Sequence, residues 1–252
     1  MRVVCIIPAR YASKRFPGKV LATLGNKSVI QRVYEQAMGA CEETVVATDD
    51  ERVYSHVASF GGIVMMTSPD HKCGTDRCFE AYSKLQDEFD VVVNVQGDEP
   101  FIEKQQIISL VECFNDPEVQ IASLAYPIIG YGAALHIMDN NVTKVVMDRS
   151  MNAIYFSRQP IPFIRDANIE DWTKQHTFYK HIGVYAFRPD VLERIISLPE
   201  SSLEKAERLE QLRWIENGFG IRMVLSQTDT IGIDSYEDLE AAQTRLMIIN
   251  KY

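Results

Sequence analysis

Residues 1–19, MRVVCIIPARYASKRFPGK, join an apolar segment directly to a basic one. The apolar run at residues 3–7 is continuous and rich in β-branched side chains, which is typical of a buried parallel strand. Pro8 ends the run, and four cations follow: Arg10, Lys14, Arg15 and Lys19. Ligands of α/β sheets bind beyond the carboxyl ends of the strands. The stretch therefore predicts a site for a strongly anionic ligand.

The basic loop fits neither of the two common phosphate-binding motifs. A P-loop requires a Ser or Thr after its lysine, and here Val20 follows Lys19. The dinucleotide fingerprint G-x-G-x-x-G is absent. Gly18 would still let the backbone approach phosphate oxygens closely. The alternative for this stretch is a solvated basic loop without a ligand.

Composition limits the classes of protein that the chain can represent. Its 252 residues, 46% of them hydrophobic, are enough for a large core. A net charge of -9 argues against non-specific nucleic-acid binding. No segment has the apolar length of a membrane span, and the N-terminal run is interpreted as a core strand. Five cysteines without a C-x-x-C pair favour reduced thiols. We expect a cytoplasmic protein without membrane insertion.

Strand and helix patterns alternate along the first half of the chain. After the first apolar run, residues 28–40 have helical spacing and residues 44–47 form a second β-branched run. Residues 51–60 again have helical spacing, and residues 63–66 form a third run. This series predicts an α/β fold with a doubly wound, mostly parallel sheet and right-handed connections. A further helix begins beyond residue 74, with Thr75 or Asp76 as its expected N-cap.

The pattern changes after about residue 125, where β-ribbons and long loops replace the α/β series. We expect a single domain, residues 1–252, that carries a subdomain at about 126–188. Such a subdomain would cover a substrate or pair with a second subunit. Residues 203–216 have the spacing of one continuous helix.

Two carboxylates stand at the ends of predicted strands. The buried run at residues 91–95 ends in QGDEP, which places Asp98 beside the basic loop if both strands are central. Mg²⁺ takes one or two carboxylates and completes its octahedron with phosphate oxygens and water. Asp234 precedes Ser235, the expected cap of the last helix, and is either a second metal carboxylate or a turn residue. Without a nearby cation in the sequence the pair should repel, so one should have a raised pKa when no metal is bound.

Three other segments carry candidate residues together with ordinary explanations. Residues 68–77 lead into a helix N-terminus, which binds anions or is merely capped. In KHIGVYAF, residues 180–187, His181 and Tyr185 share a strand face that would line a pocket or belong to the core. Glu210 and Gln211 flank a helical apolar stripe and on their own indicate a solvated edge.

Taken together, these motifs resemble those of the 3-deoxy-manno-octulosonate (Kdo) cytidylyltransferases, also called CMP-Kdo synthetases. The segment CGTDR departs from the family pattern at Cys73, usually Ser, and at Asp76, usually Glu. The matching segments lie in order between residues 3 and 240 and read IIPARYASKRFPGK, VVATDD, CGTDR, VVNVQGDEP, VTKVV, YFSRQPIP, KHIGVYAFR, KAERLEQLR and GIDSYEDLE.

The resemblance implies a Rossmann-like nucleotidyltransferase fold, a Mg²⁺ requirement and a homodimer. The implied reaction joins CTP and Kdo to give CMP-Kdo and pyrophosphate for lipopolysaccharide biosynthesis in the cytoplasm. Two alternatives stay open. One is activation of a related acidic sugar, such as a sialic acid or 8-amino Kdo. The other is a non-catalytic nucleotide-binding regulator on the same sheet.

The resemblance also implies roles for individual residues. Arg10 and Lys19 match triphosphate-binding cations, and Arg15 accompanies them on the basic loop. Gly74 and Arg77 match the segment beside the nucleotide, and the magnesium carboxylates correspond to Asp98 and Asp234. The residues that match the sugar-acid pocket are Gln96, Arg158, His181, Tyr185, Glu210 and Gln211. His181 is a candidate general base by residue type alone.

Overall fold

The computed structural model describes residues 1–249, which form a mixed α/β structure. The strands are β1 Val3–Ala9, β2 Thr23–Leu24, β3 Lys27–Ser28, β4 Glu43–Thr48, β5 Val64–Met66, β6 Val91–Asn94, β7 Ile121–Pro127, β8 Lys144–Met147, β9 Ala153–Ser157, β10 Tyr179–Phe187 and β11 Ile221–Leu225. The helices are α1 Val29–Met38, α2 Glu51–Ser59, α3 Gly74–Ser83, α4 Lys104–Glu112, α5 Ala133–Met138, α6 Trp172–Gln175, α7 Pro189–Ile196, α8 Ser202–Glu207, α9 Gln211–Glu216 and α10 Tyr236–Ile249. No helix within residues 1–249 is long and apolar enough to cross a bilayer.

The first of two compact units comprises residues 1–111 and the segment that begins at Asp229. Its four longer strands lie side by side in the order β6, β1, β4, β5, and all three pairings are parallel. Every residue of β1 is buried, as expected for a central parallel strand covered on both faces. The predicted alternation of parallel strands and helices is therefore confirmed.

Helix α1 shows how the apolar spacing of the sequence becomes packing. Its buried residues recur with helical periodicity, and Ser28 caps its first turn by accepting a hydrogen bond from the Gln31 backbone N–H at 3.3 Å. The residues buried by this helix are Val29, Ile30, Val33, Tyr34 and Ala37.

The end of the first unit packs back onto the basic loop. Phe16 from that loop shares a core cluster with Ile233 and with Ala242 of α10. Ser235 caps α10 as predicted, because its Oγ accepts a hydrogen bond from Asp238 N at 3.2 Å. In return, Asp238 accepts from Ser235 N at 2.8 Å. This packing places Asp234 in the same unit as the N-terminal cations.

The second compact unit is Glu112–Thr228. Strand β7 pairs in parallel with β11 and antiparallel with β10, while β8 pairs antiparallel with β9 and β10. The predicted ribbon is thus present as β8 and β9. The unit begins before the predicted subdomain at about 126–188 and ends after it.

Three local predictions are corrected by the structure. Cys73 is the N-cap of α3 instead of Thr75 or Asp76, because its Sγ accepts a hydrogen bond from Asp76 N at 3.4 Å. The single helix predicted at 203–216 is divided into α8 and α9, since Arg208 adopts a left-handed φ of 53°. The long loops expected after about residue 125 contain the short helices α5 and α6.

Gly97 is required by close packing. A Cβ at this position would lie 3.0 Å from the Pro8 carbonyl oxygen and 3.2 Å from Ile30 Cδ1. Because the first of these contacts is with backbone, we expect Gly97→Ala to lower the free energy of unfolding by about 1–3 kcal/mol. Urea denaturation measures the change. The control is Gly220→Ala, where an added Cβ would have no atom within 4 Å. Equal losses in the two variants would contradict the packing argument.

Candidate active site

A cavity of about 210 Å³ opens in the first unit where β1 and β6 end. It brings together five of the residues predicted from the sequence: Arg10, Lys19, Gly74, Gln96 and Asp98. The cavity is also lined by residues that were not predicted as site residues: Pro8, Ala12, Ser13, Val20 and Gly97. Gln96, predicted for the sugar-acid pocket, therefore shares this cavity with the predicted nucleotide-binding cations.

A backbone hydrogen bond closes the basic loop that lines the cavity. Gly18 has a left-handed φ of 73°, and its N–H donates to the Tyr11 carbonyl at 2.8 Å. The guanidinium of Arg52 lies over the Tyr11 ring, 3.3 Å from its centre, and pairs with Asp50 at 2.6 Å. These contacts attach the loop to the start of α2 and give its cations a defined position.

Arg10 is held by the backbone of the loop at residues 68–73. Its Nη2 donates to the carbonyls of His71 and Cys73. The loop is in turn anchored by Glu80 of α3, which contacts His71 Nε2 and accepts a hydrogen bond from Ser68 N at 2.8 Å. Glu80 therefore positions Arg10 indirectly, through the loop.

Lys19 lies between the two predicted metal carboxylates. Its Nζ contacts Asp98 Oδ2 directly and Asp234 Oδ1 at 2.7 Å. The second oxygen of Asp234 accepts from Arg15 Nη2 at 2.7 Å. The four side chains form an ion cluster of two carboxylates and two cations. The expectation that the two carboxylates are unpaired and repel each other is wrong, because their cations come from a segment that is distant in the sequence.

The electrostatics of the cluster follow from these contacts. Burial disfavours the charged form of Lys19, but the charges of Asp98 and Asp234 outweigh it and raise the pKa of the ammonium. Burial also opposes ionisation of Asp234, yet its contacts with Lys19 and Arg15 lower the pKa of this carboxyl. The prediction of a raised pKa is therefore wrong for Asp234, which is ionised at neutral pH.

The two carboxylates suit a hard cation. Asp98 and Asp234 contact the same ammonium, so their oxygens are close enough to share one ion. Carboxylate oxygens are the protein ligands that Mg²⁺ prefers, and the ion usually needs only one or two of them. Within residues 1–249 no group of three or more His, Cys, Asp or Glu side chains is arranged to hold a metal. Phosphate oxygens and water would have to supply the remaining ligands.

Arg77 does not join this cluster. Its side chain is fully buried, and it donates to Asp49 Oδ2 at 2.8 Å and to Thr67 Oγ1 at 2.5 Å. Asp49 belongs to the VVATDD segment, so these two motif residues support one another. From the segment predicted beside the nucleotide, Gly74 lines the cavity, whereas the Arg77 guanidinium points into the unit.

The remaining predicted sugar-acid residues lie in the second unit. Arg158 is held on several sides: its Nε donates to the Glu207 carbonyl at 2.8 Å and its Nη1 to the Asn140 carbonyl at 3.1 Å. Its backbone N–H donates to the Glu207 carboxylate at 3.0 Å. The plane of the guanidinium is therefore fixed.

His181 lies beside a bulge in β10. Its Nε2 is 2.9 Å from Ser123 Oγ, and that hydroxyl donates to the Val184 carbonyl at 2.9 Å. The imidazole ring contacts the Phe156 and Tyr185 rings, with centroids 4.8 and 5.4 Å away. Burial, with a contribution from the charge of Lys180, lowers the pKa of His181 to about 3. The imidazole is therefore neutral at pH 7 and only a weak base.

Tyr185, Glu210 and Gln211 complete the predicted set. Tyr185 packs edge-on against Trp214 at 5.0 Å. Burial, and then the charge of Glu210, raise the pKa of its hydroxyl. Gln211 is buried. Glu210 also lines a hollow of about 450 Å³ together with Glu200, Glu204, Lys205 and Arg208.

Lys144 is a supporting residue that was not among the predicted site residues. It is fully buried, and its Nζ donates to the carbonyls of Asp139, Val142 and Arg158 at 2.9, 2.6 and 2.6 Å. It thus joins the 139–142 loop to the segment that carries Arg158. A charged residue inside the apolar VTKVV segment is the signal that would have identified it.

The parallel α/β unit, with a cation-lined cavity at the carboxyl ends of its strands, defines a nucleotide-binding α/β protein. The sequence profile of the family described as Cytidylyltransferase matches residues 4–229, and the chain belongs to this family.

Similar proteins agree with this assignment. The 3-deoxy-manno-octulosonate cytidylyltransferase of Phocaeicola vulgatus is 57% identical over 98% of each chain. The protein of the same name from Bacteroides thetaiotaomicron is 56% identical over 96% of this chain and 97% of its own. A solved structure of CMP:2-keto-3-deoxy-manno-octonic acid synthetase complexed with CTP is 39% identical, has a TM-score of 0.89, and matches 98% of this chain and 99% of its own.

The anchoring role of Glu80 predicts how the stability of the protein depends on pH. Burial alone would raise the pKa of Glu80, but hydrogen bonds from Lys84, Ser68 and His71 outweigh it and lower the pKa from 4.5 to about 2. Glu80 therefore contributes stability that is complete above about pH 4.5 and is lost as the pH falls toward 2. We expect Glu80→Gln to lower the free energy of unfolding at pH 7 by about 1–3 kcal/mol.

Urea denaturation between pH 3.5 and pH 7, at about half-unit steps, measures this effect. The Glu80→Gln variant should lose less stability on acidification than the wild type. Exposed Glu88 in the same unit supplies the control, Glu88→Gln, whose profile should follow the wild type. Parallel profiles for the wild type and Glu80→Gln would refute the anchoring role.

Proposed function

We propose that the protein transfers a cytidylyl group from CTP to Kdo and releases CMP-Kdo and pyrophosphate. The observation that carries the proposal is the cavity in which Arg10 and Lys19 meet Asp98, with Asp234 bound to the same lysine. Cations for a triphosphate and carboxylates for its metal are the parts that nucleotidyl transfer needs. The identity of the acceptor rests on the 57% identical relative, whose name specifies this sugar acid.

To catalyse this reaction, the protein mainly has to position the two substrates and neutralise their charge. The anomeric hydroxyl oxygen of the sugar forms a bond to the α-phosphorus of CTP. The bond from that phosphorus to the bridging β-phosphate oxygen breaks, pyrophosphate departs, and the hydroxyl proton is released to solvent. Arg10 and Lys19 would hold the β- and γ-phosphates and stabilise the charge that develops on the leaving group. The backbone contacts of Arg10 keep its guanidinium in place for this role.

Arg158 is the proposed partner of the sugar carboxylate. Its guanidinium plane is fixed by the carbonyls of Glu207 and Asn140, so the cation is oriented before a ligand arrives. A planar guanidinium matches the geometry of a carboxylate. Neutral His181 and the neighbouring Tyr185 would serve as hydrogen-bonding groups for sugar hydroxyls, since a pKa of about 3 leaves His181 poorly suited to remove a proton at pH 7.

Asp98 and Asp234 are the residues that would hold Mg²⁺. When bound, the metal would offset phosphate charge and lower the pKa of the attacking hydroxyl. The support for this assignment is the chemistry of the pair: two carboxylates already gathered around one cation.

We further propose that the protein works as a cytoplasmic homodimer in lipopolysaccharide biosynthesis. The motif resemblance supports this proposal. Large apolar side chains on the second unit also support a protein partner, because Leu135 and Phe163 are 78% and 75% exposed. Light scattering after size exclusion tests the assembly, and a purely monomeric mass at micromolar concentration would contradict it.

The reaction is tested by incubating the purified protein with CTP, Mg²⁺ and Kdo and following phosphorus NMR signals. We expect CMP-Kdo and pyrophosphate in equal amounts. Parallel reactions contain 8-amino Kdo or N-acetylneuraminate, and either acid used in preference to Kdo would replace Kdo in the proposal. Tight CTP binding without turnover of any acid would favour the alternative of a non-catalytic nucleotide-binding regulator. Asp98→Asn is the control, and it should abolish turnover of the preferred acid.

Arg158→Lys tests the acid-binding role. The substitution keeps the charge but loses the planar fork, so KM for Kdo should rise about tenfold or more while KM for CTP stays nearly constant. Steady-state pyrophosphate release, measured with each substrate varied in turn, gives both constants. The matched control is Arg165→Lys, a largely exposed arginine of the same unit. An equal rise in both KM values for Arg158→Lys would place the residue on the nucleotide side.

A further inference from the structure

We propose that Lys19 is an exchangeable counter-ion, which holds Asp98 and Asp234 while no metal is bound and releases both carboxylates when a divalent cation and a triphosphate arrive together. This inference rests on the proposed function for the identity of the triphosphate. It goes further in assigning Lys19 a role toward the carboxylates, in addition to a role toward phosphate.

The carboxylates are held together independently of Lys19. Asp98 follows β6 and Asp234 precedes α10, and the backbone N–H of Ile233 donates to the Asp98 carbonyl at 2.9 Å. Asp238 also accepts hydrogen bonds from Asp234 N and Ser235 N, at 3.0 and 2.8 Å. Removal of the lysine side chain would therefore leave the pair assembled.

The ion cluster is balanced without a metal. The charges of Asp98 and Asp234 are matched by those of Lys19 and Arg15, and Lys19 contacts both carboxylates. A divalent cation that enters alone would meet the ammonium at the oxygens it needs, and like charges a few ångströms apart repel strongly in a partly buried site. A triphosphate changes this balance, because it offers Lys19 another anion.

The position and the chemistry of Lys19 allow it to exchange the carboxylates for phosphate oxygens. Its side chain is 13% exposed and lines the same cavity as Arg10, so phosphate oxygens bound there would be within its reach. A lysine carries its charge on a flexible four-carbon stem with rotatable donors. Arg10, by contrast, is tied to the carbonyls of His71 and Cys73. The cavity thus combines one fixed cation with one that can exchange partners.

The decisive measurement is metal affinity in the absence of nucleotide. Mn²⁺ replaces Mg²⁺ as the probe, and electron paramagnetic resonance measures the free ion during titration of the intact protein. We expect wild-type protein to bind Mn²⁺ weakly, and Lys19→Met to bind it at least about tenfold more tightly, because the competing charge is gone. Lys19→Gln, which keeps a donor without a charge, should behave in the same way.

The control is Lys27→Met, which removes another lysine of the first unit that is ion-paired with a carboxylate, that of Glu35. This variant should keep the wild-type Mn²⁺ affinity. Circular dichroism and thermal melting confirm that each variant is folded, and Lys19→Gln serves if Lys19→Met is not. Unchanged or weaker Mn²⁺ binding in the folded Lys19 variants would overturn the proposal.

A second series measures the coupling between the two ligands. With a non-hydrolysable CTP analogue, α,β-methylene-CTP, the Mn²⁺ affinity of the wild type should rise, and this rise should be smaller in Lys19→Met. The nucleotide-free titration does not depend on the reaction. Tighter metal binding in the Lys19 variants, with no CMP-Kdo formed by the wild type, would sustain the counter-ion role and reject the proposed function. Formation of CMP-Kdo by the wild type, with unchanged Mn²⁺ affinity in the Lys19 variants, would support the proposed function and reject the counter-ion role.

Discussion

The contact of one lysine with two carboxylates organises the first unit of this protein. Lys19 meets Asp98 across 79 residues of sequence and Asp234 across 215. These contacts require the basic loop, the turn after β6 and the segment before α10 to converge at one point. The apolar cluster of Phe16, Ile233 and Ala242 provides the burial that keeps them there. A site for highly charged ligands is therefore constructed on ordinary hydrophobic packing.

Buried cations also serve as scaffolding elsewhere in the chain. Arg77 joins Asp49 to Thr67 in the first unit, and Lys144 gathers three backbone carbonyls in the second. In each case a charged group without partners would be costly to bury, so its hydrogen bonds specify one arrangement of the surrounding loops. These contacts also fix residues beside the proposed ligands. Arg77 lies in α3, the helix that begins with Gly74, and Lys144 holds the backbone carbonyl of Arg158.

The two units contribute different chemistry. The first gathers opposite charges at the ends of parallel strands, which suits a triphosphate with its cation. The second combines an oriented guanidinium with a neutral imidazole and a buried phenol, which suits a polyhydroxy acid. The bulge in β10 supports this second group, because Ser123 satisfies the Val184 carbonyl and contacts the His181 ring. Burial then keeps His181 neutral, so its contribution is a hydrogen bond and not a charge.

The alternation of strands and helices in the first unit was predictable from the sequence, because apolar periodicity depends on near neighbours. The sequence also identified the two cations and the carboxylate that line the cavity of the first unit, Arg10, Lys19 and Asp98, since their motifs are local and chemically specific. The pairing of these groups was set by long-range contacts, which the sequence does not show. The tertiary structure placed Lys19 between Asp98 and Asp234, directed Arg77 inward and ended α8 at a left-handed Arg208. The physical reason is the same in each case: the charge or packing partner comes from a segment that local sequence does not specify.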